Sequence, residues 1–226
     1  MAETITYGSN LNFIFGGDVR LNGTGTVPDL SVSEDSLTTA CAIPRSALAQ
    51  ESLAVFVVPL TDFRVHDAVQ TVLPNPSATD DLGLYSNTFG TTTISMQTYD
   101  VKAAGAQTLR ARCHWSLPPE YQTGETVMIR LYAGMLTTIA DTSCTIDVEC
   151  HKLGTATAVG ADLCSTAAQS MNSLTWANYD FTITPTALAA GDQFDMRISI
   201  AVNDAATGTA VYAAISKVSL LCDIKG

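Results

Sequence analysis

The chain has 226 residues, 46% of them hydrophobic and 15% charged, enough apolar material for a sizeable core in one large or two small domains. Its formal net charge of −11, from 11 basic and 22 acidic residues, argues against nucleic acid or an anionic membrane as partner, since both call for a surplus of Lys and Arg. The start, MAETITYGSN, has no basic stretch followed by an apolar one, and the longest apolar run, LAVFVVPL at 53–60, is far short of a membrane span, so a cytoplasmically made, unprocessed chain is expected.

Residues 1–90 are irregular. LNFIF and LAVFVVPL have strand character, SEDSLTTA and PRSALAQESL mix turn and weak helix signals, and VLPNPSATDDLGLYSNTFG spells an ordered connector with its prolines, paired aspartates and glycines. So long a lead-in is expected to form an extended arm or small subdomain that grips another molecule. From residue 91 onward, strand-length segments follow one another: TTISMQTYDV, QTLRARCHWSL, ETVMIRLYAGML, SCTIDVECHKL, LTWANYDFTIT, QFDMRISIAV and a closing limb. Turn signals such as KAAG, PPEYQTG and NDAATG separate several of them. This pattern predicts a mainly β protein, a jelly-roll β-sandwich over 91–226 preceded by the arm at 1–90. ADLCSTAAQSMN, 161–172, is the one segment expected to form a short helix.

The tail is the most regular part. Phe194, Met196, Ile198, Ile200 and Val202 share one parity and Asp195, Arg197, Ser199 and Ala201 the other, as in a half-buried antiparallel strand. NDAATG is expected to turn the chain into a hairpin, with Val218, Leu220, Cys222 and Ile224 inward on the returning limb. Ile215 is out of phase with that set, which predicts a bulge near Ser216 and Lys217.

Of the six cysteines, Cys113, Cys144, Cys150 and Cys222 fall on apolar parities and read as buried thiols. There is no CxxC, and in Cys113-His114 and Cys150-His151 the two side chains point to opposite faces of a strand, which argues against a shared metal ion. His66, His114 and His151 are scattered, and neither GxSxG, HExxH, a Walker loop nor a full GxGxxG accompanies them. GTGT at 23–26 reads as a turn. Asp80-Asp81 reads as turn initiation, with calcium ligation as the alternative, and Asp195 with Arg197 as a solvent-side ion pair. No enzyme activity, cofactor or metal is expected. Arg110, Arg112 and His114 alternate outward as a basic strip, expected either to pair with carboxylates such as Asp147 or Glu149 or to contact a partner.

The runs FRVHDAVQTVLPNPSATDDLGL, RARCHWSLPPEYQTGETVMIRLYAGML, DLCSTAAQSMNSLTWANYDFTITPTALAAGDQFDMRISI and SLLCDIKG resemble a family encoded beside the major capsid protein in tailed bacteriophages, the capsid cement or head decoration proteins. The resemblance covers roughly residues 60–226 and rests on phrasing such as LPPEY, DDLGL and AGDQFDMR, with no catalytic signature. It implies a jelly roll on the capsid exterior, binding the major capsid protein and itself as a homotrimer. The amino-terminal portion would contribute to the shell contact. On that footing Phe13, Phe15, Phe56, Phe63 and Arg64 from the arm, with Arg110 and Arg112 from the strip, are the candidate contact residues. Two rival readings are a carbohydrate-binding jelly-roll module and an enzyme of the cupin or lyase type. For the first, Trp115, Phe181 and Trp176 count on the buried parity, leaving Tyr99 and Tyr132 as outward aromatics.

Overall fold

The computed structural model describes residues 52–86, 88–102, 104–154, 159–205 and 208–225. Phe13, Phe15, Cys41, the segments LNFIF, GTGT and SEDSLTTA, and all but the last two residues of PRSALAQESL lie outside them.

Ten strands follow in chain order: β1 Ser52–Val57, β2 Gly83–Tyr85, β3 Ser95–Gln97, β4 Gly105–Ser116, β5 Val127–Met135, β6 Ser143–Lys152, β7 Gln169–Ser170, β8 Ala177–Ile183, β9 Gln193–Asp204 and β10 Ala213–Ile224. They form two antiparallel sheets. One has the order β2-β3-β10-β5-β8 with β1 also paired to β10, and the other the order β4-β9-β6-β7. Counted from β3, the strands of the first sheet run first, eighth, third, sixth, and those of the second run second, seventh, fourth, fifth. That interleaving of two Greek keys is a jelly roll.

The sandwich follows from period-two patterning. On β9 Phe194, Met196, Ile198, Ile200 and Val202 are buried, and its neighbours contribute Leu109, Ala111 and Cys113 from β4 and Cys144, Ile146, Val148 and Cys150 from β6. Val127, Ile129, Leu131 and Ala133 of β5, Phe181 and Ile183 of β8, and Val218, Leu220 and Cys222 of β10 join them in one core. The expected slip in β10 is a register shift between Ile215 and Lys217, so residues on either side of Ser216 keep their apolar members inward.

Three expectations are corrected. The tail is not a hairpin: β9 pairs with β4 and β6, whereas β10 pairs with β1, β3 and β5, so NDAATG carries the chain from one sheet to the other. Residues 161–172 form no helix. Leu163 donates to the Cys150 carbonyl, Ser165 to Thr182 and Met171 to Cys144, so the segment's backbone is satisfied by β6 and β8 and a short local helix cannot compete. Finally, the boundary at residue 90 does not hold. The chain divides after Ala47, and Leu48–Gly226 is one compact unit. Within it β1 pairs with β10 over Ser52–Val57, β2 pairs with β3, and the stretch between them lies along β4. Arg64 and Arg112 exchange backbone bonds of 2.8 and 3.0 Å, the Arg110 amide donates to the Asp80 carbonyl at 2.7 Å, and the Leu82 amide donates to Arg110 at 2.8 Å. The outer edge of β4 is thereby covered by irregular chain, one way a sheet blunts an edge.

Candidate functional site

The basic strip on β4 is neutralised from within the chain. Arg112 grips Asp195 of β9 with two parallel bonds, Nε to Oδ1 at 2.6 Å and Nη2 to Oδ2, the fork geometry guanidinium and carboxylate favour. This bond raises the Arg112 pKa further, against the opposing effect of burial. His114 Nε2 lies 3.5 Å from the same carboxylate, and Arg110 Nη1 lies 3.6 Å from Asp80 Oδ2. Arg197 pairs with Glu149 across β9 and β6, so Asp195 and Arg197 serve cross-strand partners and not each other. Pairing with carboxylates is thus the strip's actual state. The partners are Asp195 and Asp80 in place of the expected Asp147 and Glu149, because β4 lies beside β9 and not beside β6. Among the described residues Asp147 has no such partner, and its pKa is raised, chiefly by burial.

Asp80 and Asp81 sit in a turn closed by the Ala78–Asp81 bridge. His66 completes a group whose ligand atoms lie within 4.8 Å of one another. Its Nδ1 is 3.1 Å from Asp81 and its Nε2 is 3.5 Å from Asp80, so each ring nitrogen already faces a carboxylate, and Arg110 approaches Asp80 as well. The arrangement is a charge network tying the connector to β4.

The remaining arm residues separate. Phe63 is 1% exposed and among the largest fully buried side chains, so its expected contact role is corrected: it is core, carried there by the turn at Leu60–Asp62. Arg64 is bound to its own loop through the carbonyls of Thr61 and Phe63. Phe56, 36% exposed, lies on β1 in the opposite sheet, far in topology from Arg110 and Arg112. The described members of the expected contact set are therefore not one patch.

Two features of the β1-containing sheet are not evident in the sequence. On β1, Leu53, Val55 and Val57 are 44%, 61% and 77% exposed, while Val58 at the end of the alternate row is buried. An apolar stripe thus faces solvent along an edge strand. LAVFVVPL is apolar throughout, so parity alone does not tell an edge strand with one wet face from one buried on both faces.

The second feature is a groove of about 610 Å³ on the outer face of the same sheet, lined in part by Tyr85, Ser95, Gln97, Tyr132, Trp176 and Ser216. Gly134 makes it possible. A Cβ there would come within 2.8 Å of the Trp176 ring, so only glycine lets the indole lie down on β5. Trp176 Nε1 then donates to the Met135 carbonyl at 3.2 Å, and Tyr132 meets the indole at 5.7 Å between ring centroids, tilted by 45°. Trp176 therefore does not count with the core, whereas Trp115 stacks on Phe194 with centroids 4.4 Å apart. Tyr99 spends its hydroxyl on Gln107 at 3.0 Å and lies outside the groove.

No family model and no curated protein matches the chain. Among solved structures it is similar to a family 16 carbohydrate-binding module, at 15% identity over 65% of this chain and 88% of that one, TM-score 0.35. It is also similar to the enzymatically active domain of bacteriophage CBA120 tailspike protein 4, at 9% identity over 75% of this chain and 19% of that one, TM-score 0.34. A third likeness is to infectious bursal disease virus, Gx strain, at 7% identity over 62% of this chain and 36% of that one, TM-score 0.27. These likenesses concern the fold alone.

Proposed function

We propose that the chain is a structural virion protein, a cement or decoration protein that packs on the outer surface of a tailed-phage head and reinforces the shell, and that it does no chemistry of its own. The observation that carries this reading is the β1 edge. Leu53, Val55 and Val57 present an apolar stripe on a strand whose other edge has no partner among the described residues, a surface that gains from being covered by another protein. The charged face of the other sheet supports the same choice from the opposite side, because its arginines are already committed to Asp195, Asp80 and Glu149. The sequence resemblance over roughly 60–226 supplies the partner, the major capsid protein, and the homotrimer.

The test mixes the purified full chain with head shells assembled without it and follows co-sedimentation, alongside native mass measurement. Saturable binding at a fixed ratio to the shell and a trimeric mass are expected. A chain that stays in the supernatant at every concentration refutes the reading.

A further inference from the structure

The groove over Gly134 has a chemistry that head decoration does not require. The geometry points to a binding site for a neutral oligosaccharide, held between the rings of Trp176, Tyr132 and Tyr85 and the polar side chains of Ser95, Gln97 and Ser216. None of the described residues lining the groove is acidic or basic, on a chain whose net charge is −11. Those lining side chains offer an ionic ligand no counter-charge of their own, whereas an uncharged, polyhydroxylated one matches them.

The apolar C–H face of a sugar ring packs on an aromatic face, and its hydroxyl rim needs donors and acceptors placed around that face. Both are present. Trp176 is fixed by Gly134 beneath it and by its bond to Met135, so it is ordered before any ligand arrives and loses little freedom on binding. Gln97 Nε2 already donates to Ser95 Oγ at 2.7 Å, which leaves the amide oxygen directed by that bond. Lys217, paired with Tyr132 across β10 and β5 and so on the same face, places its ammonium 5.7 Å from the Tyr132 centroid and steadies that second ring. A volume of about 610 Å³ is within the usual range for small-ligand sites, ~300 to 1,000 Å³.

The chain has two tryptophans, so Trp115→Phe, which keeps a ring on Phe194, leaves Trp176 as the sole indole reporter. Full-length Trp115→Phe protein is titrated with cellohexaose, laminarihexaose, xylohexaose, maltohexaose and chitohexaose, and with sialyllactose and a heparin hexasaccharide as charged comparisons. A saturable change in Trp176 emission with at least one neutral hexamer is expected. By calorimetry, Trp176→Ala in the otherwise unaltered chain should weaken that binding about tenfold or more. Tyr85→Ala combined with Gln97→Ala, which leaves the Trp176–Gly134 packing intact, should weaken it as well, so a folding defect in Trp176→Ala does not blur the result. Val55→Glu with Val57→Glu should leave it unchanged. No response to any neutral hexamer at millimolar concentration overturns the inference, as does binding confined to the charged sugars or binding that survives both groove variants.

Discussion

On the outer face of the β4–β9–β6 sheet, Arg112, Asp195, Arg197 and Glu149 neutralise one another across the strands. On the outer face of the other sheet, Tyr85, Tyr132 and Trp176 border an uncharged groove, and β1 turns Leu53, Val55 and Val57 to solvent. The edges differ in the same sense, since residues 64–82 cover β4 by backbone bonds while β1 carries an exposed apolar row. Charge is therefore a poor guide to which surface is left unsatisfied in this chain. A paired charge is already satisfied, and an exposed apolar or aromatic group is not.

The largest effect is expected at β1. Val55→Glu with Val57→Glu should abolish decoration of head shells in the co-sedimentation assay, while the thermal midpoint moves by only about a few degrees, because both side chains already face water. A variant that still decorates would contradict a contact role for the β1 row.

The ion pairs of the two sheets differ in burial. Arg112→Ala strands Asp195, whose side chain is 13% exposed, and should cost about 1–3 kcal/mol in denaturant unfolding. Arg130→Ala, which removes the partner of Asp180 on the aromatic sheet, should cost only ~0–1 kcal/mol, since both members of that pair are 38% exposed. Decoration should survive in both variants, because neither pair belongs to the surface proposed to meet the partner. Equal costs would mean that the two faces are solvated alike.

A smaller effect separates the sheets through their thiols. Burial pushes Cys144 from its ordinary value of 9.0 up to about 12 and Cys222 up to about 11, and drives Cys113 and Cys150 upward as well. Below pH 9 these thiols are neutral in both folded and unfolded chains. Above it the unfolded chain ionises first, so stability falls between pH 9 and about 12, by up to ~1.4 kcal/mol per pH unit for each thiol. Cys113, Cys144 and Cys150 lie on β4 and β6, so most of this alkaline loss belongs to the charged sheet. Cys144→Ala should flatten that limb while costing about 1 kcal/mol at neutral pH. Unfolding curves at stepped pH check both, and an unchanged alkaline limb in the variant would contradict the burial of Cys144.

Much of the sandwich is legible in the sequence. Alternation in β9, β6 and β4 places Ile198, Val148 and Ala111 inward, and the phase slip at Ile215 marks the bulge, because period-two burial is a local property. The illegible parts depend on long-range pairing. Nothing local says that β10 leaves β9 for the other sheet, that β1 belongs to the sandwich and not to a detachable arm, or that Phe63 is core. A deletion through residue 80 would consequently remove β1 and the cover of β4, and would not isolate an intact jelly roll. The groove is hidden for a related reason: Trp176 is positioned by Gly134, forty-two positions earlier, across the β5–β8 pair.

The account turns on which surface of the sandwich the shell or a sister subunit covers. An electron cryo-microscopy reconstruction of decorated heads reads this directly. The prediction is that Leu53, Val55 and Val57 are buried against another protein while the Arg112–Asp195 and Arg197–Glu149 pairs stay open to solvent. A head on which the charged sheet is covered and the β1 row faces water would contradict it.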